Sequence, residues 1–127
     1  MLHSEITQTI IQAFYKVYNK LGYGFLEKVY ENAMYIEWRK SGLQCTQQQL
    51  IEVFYEKEVV GHYYSDLLVE NLVIIELKAA ETLCEAHECQ LLNYLKAREI
   101  EVDLLLNFGK EPKLLRKIFT NDRKARQ

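Results

Sequence analysis

Apolar positions recur at helical spacing in the first third of the chain. Between Ser4 and Leu21 they fall three and four residues apart, and a second such stripe runs from Phe25 to Lys40. Gly22 and Gly24 separate the two stretches. The pattern therefore predicts two amphipathic helices joined by a short turn, with Ser4 as the cap of the first helix.

The pattern changes to that of β-strands between Leu43 and Lys78, where apolar and β-branched residues dominate. Two short polar pairs interrupt it, Glu56-Lys57 and Glu70-Asn71, and both are typical of tight turns. We expect strands near Leu50–Tyr55, Val59–Tyr64, Asp66–Val69 and Leu72–Lys78.

The last third returns to a helix and then to strands. Thr82-Leu83-Cys84-Glu85 has the form of a capping box, which predicts a third helix that runs to about Ala97. Val102–Phe108 is an apolar strand that follows it, as in a βαβ crossover, and Leu114–Phe119 can form a final edge strand. The order predicts an α/β fold in which helices flank a mixed central β-sheet.

Three charged residues interrupt the most apolar part of the predicted sheet. Glu76 and Lys78 are two residues apart on one strand, so they lie on the same side of the sheet. A hairpin centred on Asn71 sets Asp66 opposite Glu76. Two facing carboxylates repel each other, and a divalent cation relieves that repulsion. The hairpin therefore suggests a metal site that has an amine beside it.

A plainer interpretation stays open beside this one. Glu76 and Lys78 can form a salt bridge at the rim of an edge strand, and Asp66 can simply begin a strand. The first turn of the second helix offers a further acid, because Glu27 adjoins the apolar stripe and can turn inward. An acid at that position is also explained by the helix dipole alone.

Composition limits the classes of protein that fit. The 127 residues suit one domain, which we place at 1–120, followed by a basic tail at 121–127. The net charge of −2 is not that of a non-specific nucleic-acid binder. The C-terminal stretch is basic and can contact phosphates, but we favour a solvated and frayed tail. We find neither a membrane-spanning apolar run nor a signal-peptide pattern in the sequence, so we expect a cytoplasmic protein.

Other chemistries have weaker support. Cys84, His87 and Cys89 invite comparison with a zinc site, but on a helix Cys89 points away from the other two, and a fourth ligand must come from elsewhere. The odd number of cysteines favours reduced thiols. The sequence contains no glycine-rich phosphate loop, no GxSxG and no HExxH.

Five short motifs follow one another in an order that resembles a known group. The chain resembles the PD-(D/E)XK nuclease superfamily, whose restriction-endonuclease-like core runs α-β-β-β-α-β, here with an extra N-terminal helix. It is most similar to a small family within it, the GxxExxY proteins. The motifs are Gly24-Phe25-Leu26-Glu27-Lys28-Val29-Tyr30, Asp66-Leu67-Leu68-Val69, Glu76-Leu77-Lys78-Ala79, His87-Glu88-Cys89-Gln90-Leu91-Leu92-Asn93-Tyr94-Leu95 and Leu106-Asn107-Phe108-Gly109.

The resemblance implies a role for each matching residue. Asp66 and Glu76 hold Mg²⁺ or Mn²⁺, and Glu27 completes the shell of the metal, directly or through water. Lys78 orients or activates the attacking water and offsets charge on the phosphate. Gln90 on the third helix contacts the substrate or supports the site. The implied supporting residues are Tyr30, Glu31 and Tyr94.

Two functions follow as alternatives. The first is a Mg²⁺-dependent nuclease that hydrolyses phosphodiester bonds in DNA or RNA. The second is a binding or assembly module that keeps the nuclease fold without turnover and holds nucleic acid or a protein. A homodimer suits either function, because a small nuclease can pair two sites across a duplex.

Overall fold

Two helices and five strands make up the part of the chain that the structure describes. This computed structural model describes residues 3–80, 100–118 and 120, with the backbone alone at 48, 49, 51 and 63–66. The predicted third helix lies outside the described residues. In chain order the elements are α1 (Ser4–Leu21), α2 (Glu27–Lys40), β1 (Cys45–Tyr55), β2 (Glu58–Val69), β3 (Val73–Lys78), β4 (Val102–Phe108) and β5 (Pro112–Ile118).

The five described strands form one sheet in the order β1-β2-β3-β4-β5. Neighbouring strands are antiparallel except for β3 and β4, which run parallel. This mixed sheet with helices confirms the predicted α/β class. The parallel pair requires a crossover connection, as the sequence predicts between Lys78 and Val102.

Both predicted hairpin turns are confirmed. Glu56 and Lys57 have φ angles of 48° and 71°, and Glu70 and Asn71 have 54° and 56°. Two successive positive φ angles define a type I′ turn, whose twist matches that of the flanking strands. The prediction of two strands at 59–64 and 66–69 is wrong, because a single strand continues through Ser65.

The core lies between the helices and one face of the sheet. Phe108, at the end of β4, stacks on Tyr30 of α2 with ring centroids 4.0 Å apart, and Phe14 of α1 meets it edge-on at 4.9 Å. Both contacts lie within a fully buried cluster, whose largest members also include Trp38, Met34, Ile10, Leu67, Ile75 and Leu77. We call the side of the sheet that packs on α1 and α2 the helix face, and the other side, which neither of these two helices covers, the open face.

The helix ends depart from the predicted caps. Ser4 lies inside α1 and does not cap it; His3 precedes the helix in the left-handed conformation, with no side-chain cap bond. At the turn between the helices, the Tyr30 hydroxyl donates to the carbonyl oxygen of Gly22 at 2.7 Å and accepts from the Phe25 amide at 3.3 Å. Tyr30 therefore fixes the start of α2 both to the core and to the preceding turn.

We expect Tyr30→Phe to lower the free energy of unfolding by about 1 kcal/mol, because it leaves the ring packing intact and removes both hydrogen bonds. Urea unfolding measures the difference. Tyr55→Phe is the matched control: Tyr55 is 64% exposed, and its change should stay within about 0.5 kcal/mol. Equal stability of Tyr30→Phe and wild type would contradict this role of the hydroxyl.

Candidate nuclease site

Glu76 and Lys78 lie side by side on the open face of the central strand. Ile75 and Leu77 alternate with them and are fully buried in the core under the helices, so the two charged side chains point the other way. Both charged residues are half-buried. Because β3 is the middle strand of the described sheet, the alternative of a salt bridge on an edge strand is wrong.

The β2–β3 hairpin is centred on Asn71, as predicted. Leu67 pairs with Ile75 and Val69 with Val73, in antiparallel register. Counted one residue further, the same register sets the backbone of Asp66 opposite that of Glu76. The meeting of the two carboxylates stays a prediction, because the structure describes the backbone alone at Asp66.

Glu27 and Glu31, one turn apart on α2, lie in different environments. Glu27 is exposed in the first turn of α2, so the expectation that it turns inward is wrong. Glu31, one turn later, is 3% exposed and accepts hydrogen bonds from Gln47 Nε2 at 2.7 Å and Lys28 Nζ at 3.0 Å. Glu31 thus ties α2 to β1 on the helix face, which is a structural support for the fold.

Glu27 nevertheless lies at the end of the sheet where the site residues are. Tyr30, three residues after it, stacks on Phe108 at the end of β4. Lys78 ends β3, and in the parallel pairing it lies beside Asn107, next to Phe108. The first turn of α2 and the end of β3 therefore share one end of the sheet, while the helix itself covers the opposite face from Lys78.

The sequence analysis assigned no role to Asn107, which is fully buried beside Lys78. Its Nδ2 donates to the carbonyl oxygen of Ala80 at 2.9 Å, and its Oδ1 accepts from the amide of Ala80 at 3.0 Å. An amide inside an apolar strand, on the same face as a charged residue of the neighbouring strand, is the signal that points to it. The partner, Ala80, gives no signal of its own in the sequence.

Asp103 is a second buried polar residue on the open face that the sequence analysis did not single out. It pairs with Ile74 of β3 on one side and with Lys117 of β5 on the other. Four residues along β4 separate it from Asn107, a distance of about 13 Å at the usual rise per residue. Asp103 therefore belongs to the opposite end of the open face from Lys78.

The remaining predicted site residues lie outside the described residues. These are Gln90 and Tyr94, together with the Cys84, His87 and Cys89 set that invited comparison with zinc. Among the residues described, no group of three or more His, Cys, Asp or Glu side chains is arranged to hold a metal ion. Of the residues predicted to contact a metal or substrate, the structure thus brings together Glu76 and Lys78, with Asp66 opposite by register.

Comparison with known proteins supports the superfamily that the motifs suggested. The family model of the PD-(D/E)XK nuclease superfamily matches residues 4–118. The chain belongs to the PD-(D/E)XK nuclease superfamily. Nucleases of this superfamily typically use divalent metals. A search of curated proteins finds no match.

A solved structure supports the fold. The crystal structure of SSO0001 superposes with a TM-score of 0.56 at 15% sequence identity and covers 76% of this chain. This chain matches 52% of that protein, so it spans about half its length.

In the described part of the chain, neither helix is long and apolar enough to cross a membrane.

Glu27 and Glu31 of α2 make a matched pair of variants. We expect Glu31→Gln to lower the free energy of unfolding by about 1–3 kcal/mol, because it disturbs the charge-assisted bond from the exposed Lys28 to the buried Glu31 carboxylate and the contact with Gln47. Glu27→Gln should stay within about 0.5 kcal/mol, because its side chain is exposed. Urea unfolding of the two variants tests the assignment, and a larger loss for Glu27→Gln would reverse it.

Proposed function

We propose that the protein is a metal-dependent nuclease that hydrolyses phosphodiester bonds in DNA or RNA, of the GxxExxY type within its superfamily. The observation that carries this proposal is the pair Glu76 and Lys78 on the open face of the central strand. Keeping two half-buried charges in an apolar strand is costly unless they act on a ligand, a metal or each other. The membership of the chain in a nuclease superfamily supports the same conclusion.

The donor set fits a hard divalent cation. Glu76 offers a half-buried carboxylate, the register brings Asp66 opposite it, and Glu27 is an exposed carboxylate at the same end of the sheet. Carboxylate oxygens are the ligands that Mg²⁺ and Mn²⁺ prefer. We assign Asp66, Glu76 and Glu27 as the residues that hold the ion. When bound, it supplies Lewis-acid stabilisation of charge on the phosphate.

Lys78 supplies the positively charged side chain of the proposed site. Its amine lies on the same face as Glu76, where it can hydrogen-bond the attacking water and offset the negative charge that grows on the phosphate. Gln90 is assigned to substrate contact or support of the site, with Tyr94 beside it. Tyr30 and Glu31 support the site by fixing α2, from which Glu27 projects.

A second candidate is a binding or assembly module without turnover, which can form a homodimer. One observation favours it: the β1–β2 hairpin bears several exposed apolar side chains toward its tip. In the described part of the chain, β3 pairs with β2 at residues 67–69, which lie at the other end of β2 from the hairpin tip. The described pairing with β3 therefore does not reach the tip. Exposed apolar side chains on a hairpin can provide contacts for a partner, and these lie on both faces of the two strands. The side chains are Leu50, Phe54, Tyr55, Val59 and Val60, from 38% to 64% exposed.

A cleavage assay tests the nuclease directly. Single- and double-stranded DNA and RNA are incubated with Mg²⁺, with Mn²⁺ or with chelator. We expect metal-dependent cleavage that Lys78→Ala abolishes, because the variant loses the amine at the reacting phosphate. Lys40→Ala is the control, since Lys40 is exposed at the far end of α2. A folded Lys78→Ala that keeps the full rate would show that the assignment is wrong.

Metal binding has an independent test in thermal stability. A ligand that binds only the native state stabilises it, by about 2.7 kcal/mol at a concentration one hundred times its dissociation constant. We expect Mg²⁺ or Mn²⁺ to raise the Tm of wild type and to have little effect on Glu76→Gln. Glu58→Gln, at an exposed carboxylate of the hairpin tip, should respond like wild type. The absence of a shift at millimolar metal would favour the binding module.

A further inference from the structure

The chain that leaves β3 is held by a side chain of β4. Lys78 is the last residue of β3, and Ala79 and Ala80 follow it outside any regular element. At Ala80 the amide and the carbonyl are both bonded to the side-chain amide of Asn107, at 3.0 and 2.9 Å. The side chain of Asn107 thus makes the two backbone bonds to Ala80 that a neighbouring strand would make. It extends the hydrogen bonding of β3 two residues past Lys78.

A close backbone approach completes this arrangement, which we call the Ala80 clamp, made of Asn107 and Gly109. A Cβ atom at Gly109 would lie 2.5 Å from the carbonyl oxygen of Ala80 and 3.0 Å from Asn107 Nδ2. No real side chain fits at the first distance without moving the backbone of Ala80. Glycine at position 109 is therefore required by the approach of the two backbones.

The clamp is anchored to the core from its other side. The hydroxyl of Tyr18 on α1 is shared between the carbonyl oxygens of Gly109 and Lys110, at 2.7 and 2.6 Å. The pKa of Tyr18 is raised above its usual value, first by desolvation and then by the neighbouring Tyr30 and Tyr23. The hydroxyl therefore stays protonated and can donate. The loop after β4 is thus fixed to α1 while the end of β4 holds Ala80.

The position of the clamp relative to Lys78 gives it a consequence for the site. Asn107 is the register partner of Lys78 in the parallel pair, so their side chains leave the sheet on the same face. A lysine at the last position of a strand would otherwise sit where pairing ends and the backbone frays. Bonds on both sides of Lys78, to β4 and through Ala80, hold its Cα in one place.

We propose that Asn107 is a positioning residue for Lys78, acting through Ala80, and that Gly109 is required for the same contact. The proposal rests on the proposed function, in which the amine of Lys78 acts at the phosphate. Small displacements of a catalytic group are costly, and loss of the groups that orient ligands at a metal site lowers activity about 10- to 100-fold.

Two unrelated changes should disturb the same contact. Asn107→Leu keeps a side chain of similar size and removes both bonds, whereas Gly109→Ala leaves Asn107 intact and pushes Ala80 away. Asn107→Asp is the graded variant, because it can still accept from the Ala80 amide and can no longer donate. Ile10→Val is the control: Ile10 is fully buried in the core, so the loss of one carbon weakens the fold without touching the clamp.

The position of Lys78 is measured without activity. Reductive methylation with ¹³C-formaldehyde labels each lysine amine and preserves its charge, and the Lys78 signal is identified by its loss in Lys78→Arg. We expect that signal to shift in Asn107→Leu and in Gly109→Ala, and to stay in place in Ile10→Val. The Lys40 signal, far along α2, should not move in any variant.

Kinetics of the unlabelled proteins test the consequence. We expect kcat to fall about 10- to 100-fold in Asn107→Leu and Gly109→Ala, with KM for nucleic acid nearly unchanged and with Asn107→Asp in between. Ile10→Val should keep the wild-type kcat. A smaller folded fraction would also lower the apparent kcat at unchanged KM, so circular dichroism measures the folded fraction of each variant and kcat is calculated per folded protein.

Each outcome decides the inference. A Lys78 signal that stays in place in the folded variants overturns it, as does wild-type kcat in both. If Asn107→Leu does not fold, Gly109→Ala and Asn107→Asp carry the test. If wild type cleaves no substrate, the proposed function fails, and the Lys78 signal alone then decides whether Asn107 positions the lysine.

Discussion

The pairing register of β3 is the constraint on which the rest of the structure depends. The strand is held between β2 and β4, and its alternate residues Val73, Ile75 and Leu77 are buried under α1 and α2. A slip of one residue would send those apolar side chains to the open face and bring Glu76 and Lys78 into the core. The cost of burying two charges there forbids the slip, so the same apolar pattern that builds the core also sets the direction of the site.

The features predicted from sequence are those with a local cause. The turn at Glu70-Asn71 and the two-residue period of the strands fix the hairpin centre and the shared face of Glu76 and Lys78. The missed features depend on residues far apart in the chain: Asn107 bonds Ala80 across 27 positions, and Gln47 bonds Glu31 across 16. The strand was wrongly divided at Ser65 for a related reason. A polar residue within an apolar stretch predicts the end of a strand unless the pairing with the neighbouring strand is known.

Gly24 and Tyr30 of the GxxExxY stretch fix the start of α2. Gly24 has a φ of 108°, a conformation that side chains disfavour, and Tyr30 bonds back to the turn and stacks on Phe108. These contacts place the start of α2 at the end of the sheet where Lys78 lies. Glu27 takes no part in them and projects outward, so it is the member of the stretch that remains available for a ligand.

The net charge of −2 is a poor guide to what the open face can bind, because recognition depends on where charges lie. In the sheet, Asn107 pairs with Lys78 on one side and with the exposed Lys113 of β5 on the other. Two cations therefore stand in one row across three strands, about 10 Å apart at the usual strand spacing. A neutral residue separates them, which avoids like-charge repulsion between adjacent positions. Lys113 also pairs with the exposed Glu111 carboxylate at 3.7 Å. An anionic backbone that crosses the end of the sheet at Lys78 would therefore compete with Glu111 for the second cation on the same face.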